Sequence, residues 1–221
     1  MLGIAISCYN GHLTQLFDLF DSIESQTILP DKVIVSSSST DINCQKIMNR
    51  ALQKYNFPFQ IIYHTTIKNA SENRNIAISY LMDMDYISFI DADDIMHPKR
   101  IEMILQTFNE TNCDIILHNY INYLVEEPNC LELNYKINSL KVHLSGCIEH
   151  INPYIRDIEL IHHSQSSVKK HILEKIKYRE NTEFVRKEDC IFCSDIFNLN
   201  NIKNVYINNK LSYYRPSYSK P

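Results

Sequence analysis

The 221 residues carry 22 basic and 26 acidic side chains, a formal net charge of −4 and 44% hydrophobic residues. That is enough for one packed domain with two lobes. No Lys/Arg block forms a phosphate-tracking stripe, so nucleic acid is not expected as a partner. No run approaches the roughly 18–20 apolar residues of a membrane span, so no integral membrane segment is expected either.

In chain order, Leu2 to Ser7 is a short apolar run with the character of a buried strand. Leu13, Leu16, Phe17, Phe20 and Ile23 fall at helical spacing and predict an amphipathic helix ending before Pro30. Lys32 to Val35 is a second apolar strand. It gives way to Ser36-Ser37-Ser38-Ser39-Thr40-Asp41, a stretch of side chains that bond to nearby backbone. Ile42, Ile47, Ala51, Leu52 and Tyr55 predict another helix, and Phe59 to Tyr63 a third strand. Ser71 can cap a helix running to about Met82. Tyr86 to Ile90 is a fourth strand leading straight into Asp91-Ala92-Asp93-Asp94. Pro98 sits where the next helix would begin, with Ile101, Ile104, Leu105 and Phe108 on its buried face.

This β-α alternation predicts an α/β fold with a mostly parallel sheet flanked by helices. In such sheets ligands bind beyond the carboxyl ends of the strands. The second half is less regular. Strands are expected at Asp114 to His118, Asn122 to Val125 and Val205 to Ile207. A polar loop is expected at 126–140, a short helix on Val168, Ile172, Leu173 and Ile176, and another helix near Glu188.

The seven cysteines are irregularly spaced, which fits reduced thiols and a cytoplasmic setting better than a disulfide framework. The N-terminus lacks the basic region and cleavage site of a signal peptide. Cys190-Ile191-Phe192-Cys193 has no second pair to complete a zinc site and reads as helix packing.

The chemistry concentrates at Asp91, Asp93 and Asp94. Residues i and i+2 at a strand end point to the same side, so Asp91 and Asp93 can share a site. Clustered carboxylates repel one another, and a divalent cation offsets that while leaving positions for phosphate oxygens and water. The competing explanation is an acidic turn ahead of the Pro98 helix, where the helix dipole favours Asp. The strand-end placement weighs against it. His97 reads as a helix cap or exposed side chain ahead of a metal ligand, and His162-His163 as part of a polar loop.

Six short segments add context through their order. They are Ile4-Ala5-Ile6-Ser7-Cys8-Tyr9-Asn10, Lys32 through Asp41, Asn69-Ala70-Ser71-Glu72-Asn73-Arg74-Asn75, Phe89-Ile90-Asp91-Ala92-Asp93-Asp94, Val185-Arg186-Lys187-Glu188-Asp189 and Tyr213-Tyr214-Arg215. Together they resemble the GT-A fold glycosyltransferases, particularly the inverting family 2 enzymes, over nearly the whole chain. The resemblance implies one GT-A domain over 1–221, with a nucleotide-sugar half at about 1–98 and an acceptor half at about 99–221. It implies sugar transfer from a nucleotide-sugar, with a UDP-sugar expected, to a hydroxyl on a glycan, lipid or protein acceptor, assisted by Mn²⁺ or Mg²⁺.

The same resemblance implies residue roles. Tyr9 lines the base pocket, with Ser7, Ser36, Ser37 and Ala92 also at the nucleotide-sugar site. Asp91 meets the ribose, Asp93 holds the metal, and Arg74 holds the carboxylates. Arg215 approaches the diphosphate. Glu188 and Asp189 lie on the acceptor side, with Asp189 as catalytic base. Ser36 and Ser37 depart from the acidic residues usual after the second strand, one of which reads uracil. That departure keeps open a second reading, a non-catalytic nucleotide-sugar or glycan-binding module. A nucleotidyltransferase is a third, but Cys8-Tyr9-Asn10-Gly11 is not the Gly-rich phosphate loop it would need.

Overall fold

The computed structural model describes residues 1–121, 132–140, 149–151, 158–160, 163–180 and 188–215. The expected strand at Asn122 to Val125, residues 126–131 of the expected loop, His162, the Val185-Arg186-Lys187 segment and Pro216 lie outside them, and the described remainder of that loop holds a short strand at Tyr135–Ile137.

Strands β1 (Leu2–Tyr9), β2 (Lys32–Ser38), β3 (Phe59–Tyr63) and β4 (Tyr86–Asp91) form a parallel block in the order β3-β2-β1-β4. Helices α1 (Gln15–Glu24), α2 (Ile42–Ala51) and α3 (Ala70–Ser79) make the crossovers. The sheet continues through β10 (Ser166–Lys169), β6 (Ile115–Ile121), β11 (Asn204–Tyr213) and the two-residue β5 (Ile95–Met96). β10 runs antiparallel to both β4 and β6, and it is the one break between two parallel stretches. β7 (Tyr135–Ile137) adds to β11, and β8 (Glu149–Ile151) pairs with β9 (Ile158–Leu160) in a separate ribbon.

Side-chain alternation sorts the core to the two faces of the sheet. Leu2, Ile4 and Ile6 of β1 and Val33 and Val35 of β2 pack with α1 and with α4 (Arg100–Thr111). Ala5, Ile34, Ile87 and Phe89 pack on the other face with α3, α5 (Lys170–Leu173) and α6 (Glu188–Phe197). Gly3 allows the second layer to close in, since a Cβ there would stand 2.7 Å from Leu81 Cδ2.

Four local expectations are corrected. The cap of α3 is Asn69, not Ser71. Asn69 Oδ1 accepts from the Glu72 amide at 2.9 Å, and Glu72 Oε2 accepts from the Asn69 amide at 2.8 Å, a reciprocal capping box. α2 buries Met48, while Ile42 and Ile47 are exposed. Val168 is a strand residue of β10, because it is buried between β4 and β6, and only 170–173 turn helical. α4 begins at Arg100, two residues after Pro98. His97 does serve as a local cap: its Nδ1 accepts from the Lys99 amide at 3.1 Å.

Candidate active site

β1 and β4 are adjacent and parallel, so their carboxyl ends open on the same crevice. The register places Ser7 beside Asp91. Ser7 Oγ donates to Asp91 Oδ1 at 3.1 Å, and Arg74 Nη2 donates to the same oxygen at 3.1 Å. From below, the Asp91 amide donates to Ser164 Oγ at 3.0 Å.

Arg74 is the hub. It projects from α3 and is only 4% exposed. Its Nη1 donates to Glu188 Oε1 at 2.6 Å, so one guanidinium joins the end of β4 to the start of α6. Burial opposes its charge, but Asp91, Tyr178 and Glu188 outweigh that and hold its pKa above the ordinary arginine value. The Tyr178 ring lies 5.4 Å from the guanidinium and stacks on Phe192 of α6 at 3.9 Å.

The acidic turn divides three ways. Asp93 lines the cavity, and its Oδ2 lies 3.7 Å from His12 Nε2. Burial and then the Asp91 charge raise its pKa, and His12 partly offsets them. Asp94 is fully buried, accepts from Ser164 Oγ and takes the Arg215 amide at 3.1 Å. It ties the turn to the end of β11, and burial, then the Asp91 charge, hold its pKa well above the ordinary aspartate value. Ala92 is buried in the core beneath the turn and off the cavity wall.

The cavity is about 340 Å³, within the range of small-ligand sites. Ser7, Tyr9, His12, Asn73, Arg74, Asp91, Asp93 and Tyr214 are on its wall, with Cys8, Lys68 and Ala70 completing it. The Tyr9 ring is packed over Gly11, where a Cβ would stand 2.4 Å from it, and meets the His12 ring edge-on at 4.1 Å. Gly11 therefore lets the aromatic wall fold back against the chain.

The expected residues fall into layers. Ser7, Tyr9, Arg74, Asp91 and Asp93 converge on the cavity. Ser36 and Ser37 lie beneath it, fully buried: Ser36 Oγ donates to Asn73 Oδ1 at 2.9 Å, and the Ser37 and Thr40 hydroxyls are 2.8 Å apart. Asn73 is the wall residue above them. Arg215 turns its Nη1 to Asp18 of α1 at 2.8 Å. Asp189 begins α6 beside Glu188, its Oδ1 accepting from the Cys190 amide at 2.8 Å. Burial lifts the Asp189 pKa from 3.8 to about 6; Arg74 pulls it down, and the Glu188 charge adds to the rise.

His12, Lys68 and Asn73 were not given roles by the sequence. Asn73 and Tyr214 stood inside quoted segments, and His12 follows Tyr9 by three residues, so a one-turn spacing was the available signal. Cys190 and Cys193 are buried on α6, in line with a packing role.

A mostly parallel sheet flanked by helices is the fold of the GT-A glycosyltransferases. The chain belongs to glycosyl transferase family 2, whose profile matches residues 3–142. Relatives include an uncharacterized glycosyltransferase of Methanocaldococcus jannaschii, 28% identical over 196 residues, covering 87% of this chain and 63% of the relative. The glycosyltransferase GlyG of Streptococcus pneumoniae is 24% identical over 56% of this chain and 40% of its own length. Among solved structures, S. aureus TarS 1–349 in complex with UDP-GlcNAc superposes with a TM-score of 0.69 at 13% identity, over 99% of this chain and 59% of that one. The same fragment in complex with UDP gives 0.67 at 16% identity, over 98% and 60%. The chain thus spans less than two thirds of the length of these relatives. Among the described residues, no helix is long and apolar enough to cross a membrane.

Proposed function

We propose that this chain is a metal-dependent, inverting glycosyltransferase that moves a sugar from a nucleotide-sugar to an acceptor hydroxyl, with Asp189 as base. The observation that carries the reading is the Arg74 bridge between Asp91 and Glu188, at 3.1 and 2.6 Å. It couples the donor cavity to the helix that bears Asp189, so donor and base are held by one fork.

The residues fit a divalent cation. Asp93 stands on the cavity wall with its pKa raised by burial and the Asp91 charge, an effect that His12 at 3.7 Å, its own backbone amide and Arg215 only partly offset. Among the described residues, no group of three or more His, Cys, Asp or Glu is placed to hold a metal. A bound Mn²⁺ or Mg²⁺ would then take Asp93 together with phosphate oxygens and water, and would stabilise charge on the departing diphosphate.

This chain's own groups do the rest. Tyr9 offers a flat face to the base, with Asn73 oriented from below by Ser36. Asp91, its Oδ1 held by Ser7 and Arg74, meets the ribose. Asp189 takes the acceptor proton as the hydroxyl attacks the anomeric carbon from the face opposite the leaving group. One base suffices for such a single displacement. Residues up to about 98 form the donor half and later ones the acceptor half, with Tyr214 reaching back to the donor cavity. The structures of TarS with UDP and UDP-GlcNAc make UDP-sugars the first donors to test.

The test is incubation with a panel of UDP-, dTDP- and GDP-sugars and Mn²⁺, with released nucleoside diphosphate quantified by chromatography. Slow release without acceptor is expected from at least one donor. Absence of release and of binding for every donor contradicts the proposal. Ser36 and Ser37, buried beneath the cavity, are the observation favouring a binding module instead, which predicts donor binding with no release under any acceptor.

A further inference from the structure

β1 ends at Tyr9, and Asn10–His12 make a single 3₁₀ turn ahead of α1. Three residues per turn bring Tyr9 and His12 to one side, where their rings meet at 4.1 Å. Gly11 permits the tight turn, because a side chain there would run into the Tyr9 ring. The turn sets His12 on the donor-cavity wall beside Asp93. His12 Nε2 stands 3.7 Å from Asp93 Oδ2, with the two side chains 20% and 14% exposed. That separation is too long for a hydrogen bond. Among the described residues the imidazole has no hydrogen-bond partner. The spacing suits two ligands of one ion instead. Ligand atoms about 2.1 Å from a six-coordinate cation stand about 3.0 Å apart when adjacent and about 4.2 Å apart when opposite. The 3.7 Å between His12 and Asp93 falls inside that span.

The geometry points to His12 as a second protein ligand, with Asp93, of the cation that holds the diphosphate, and so to a site selective for Mn²⁺ over Mg²⁺. The inference rests on the transferase reading and assigns a residue to which that reading gives no part. Carboxylate and phosphate oxygens suit both ions. An imidazole nitrogen suits transition cations, whereas Mg²⁺ prefers an all-oxygen shell and gives up its waters reluctantly. The selectivity therefore lies with His12. Two protein ligands are too few to hold either ion firmly, which agrees with the lack of any group of three or more His, Cys, Asp or Glu placed for a metal among the described residues. The remaining positions belong to diphosphate oxygens and water, so the ion is bound tightly only together with the nucleotide.

The test is electron spin-echo spectroscopy of Mn²⁺ bound with excess UDP to the full, untagged chain, comparing unlabelled protein with protein carrying nitrogen-15 histidine. Nitrogen modulation that changes with the histidine label is expected. The chain has nine histidines, so the signal is assigned by its loss in His12→Ala and His12→Gln, with circular dichroism reporting that each variant is folded. Calorimetry with UDP present should show Mn²⁺ binding at least about tenfold more tightly than Mg²⁺. His12→Ala should shrink that preference to about twofold, by weakening Mn²⁺ and leaving Mg²⁺ nearly unchanged. A merely structural role for His12 would instead lower both affinities together. Mn²⁺ that binds with UDP but shows no histidine nitrogen, or a metal preference unchanged in both His12 variants, overturns the inference and leaves the transferase reading standing. Mn²⁺ that does not bind with UDP at all overturns both.

Discussion

Asp189→Asn separates chemistry from stability at one atom pair. The Asn carbonyl can still accept from the Cys190 amide, so the start of α6 is kept. The proton acceptor is lost, and release of nucleoside diphosphate is expected to fall between about 100- and 10,000-fold, the usual contribution of a general base. Stability moves the other way. The native carboxyl is lifted from 3.8 to about 6, mainly by burial. That rise corresponds to about 3 kcal/mol, at about 1.4 kcal/mol per decade of proton affinity. A folded-state carboxyl pKa above the unfolded value means the native state binds the proton more tightly. Its stabilising contribution is present below the unfolded value, and it is lost as pH rises from about 4 to about 6. At pH 8 the wild-type chain bears the full cost of the buried charge and the Asn variant does not. The variant is therefore expected to melt higher at pH 8, by roughly 2–4 °C for each kcal/mol gained. At pH 4.5 most of that advantage disappears, because the wild-type carboxyl is then protonated. Scanning calorimetry at the two pH values, with turnover of the best donor measured at pH 8, reads both effects. Retention of a tenth of the activity, or a melting difference independent of pH, refutes the reasoning.

Turnover of the wild-type chain should rise with pH through about 6 and then level, since Asp189 must be unprotonated to act; a profile flat from pH 5 to 8 would exclude it as the base. Arg74→Met leaves Asp91 and Glu188 facing each other without their bridge, and urea denaturation should show a loss of about 3–5 kcal/mol. Tyr9→Ala should raise the donor KM about tenfold with little change in kcat, as expected for loss of a stacking face under the base. Ser36→Ala releases Asn73 and should weaken donor binding about fivefold by calorimetry, roughly the worth of one hydrogen bond.

Much of the site was legible because strand ends position their residues by register. Tyr86 to Ile90 was readable as a buried strand, and once it lay beside β1, Ser7 and Asp91 had to meet. The Arg74 bridge to Glu188 was not readable from spacing, since it spans 114 positions; only the order of the motifs pointed to it. Errors came where tertiary context overrode local signals. Ser71 and Asn69 are both good caps, and the reciprocal bond with Glu72 decides for Asn69. Ile42 and Ile47 match helical spacing yet face solvent, and Met48 is the residue α2 buries. Val168 carries a helical period by accident and a strand by burial, which no local pattern separates for so short a segment. Ser36 and Ser37 open the polar run after β2's apolar residues, and the family resemblance puts them at the nucleotide-sugar site. β2 instead continues to Ser38, which draws them under the cavity floor.

The central claim is that Tyr9, Asp91 and Asp93 hold a metal-bound nucleoside diphosphate facing Asp189. A crystal structure of the chain grown with Mn²⁺ and UDP tests it most directly. The account predicts the base against Tyr9, the ribose at Asp91, Mn²⁺ bonded to Asp93 and to the diphosphate, and Asp189 across the cavity from the β-phosphate. A nucleotide bound elsewhere on the chain, or Mn²⁺ bound without Asp93, would contradict it.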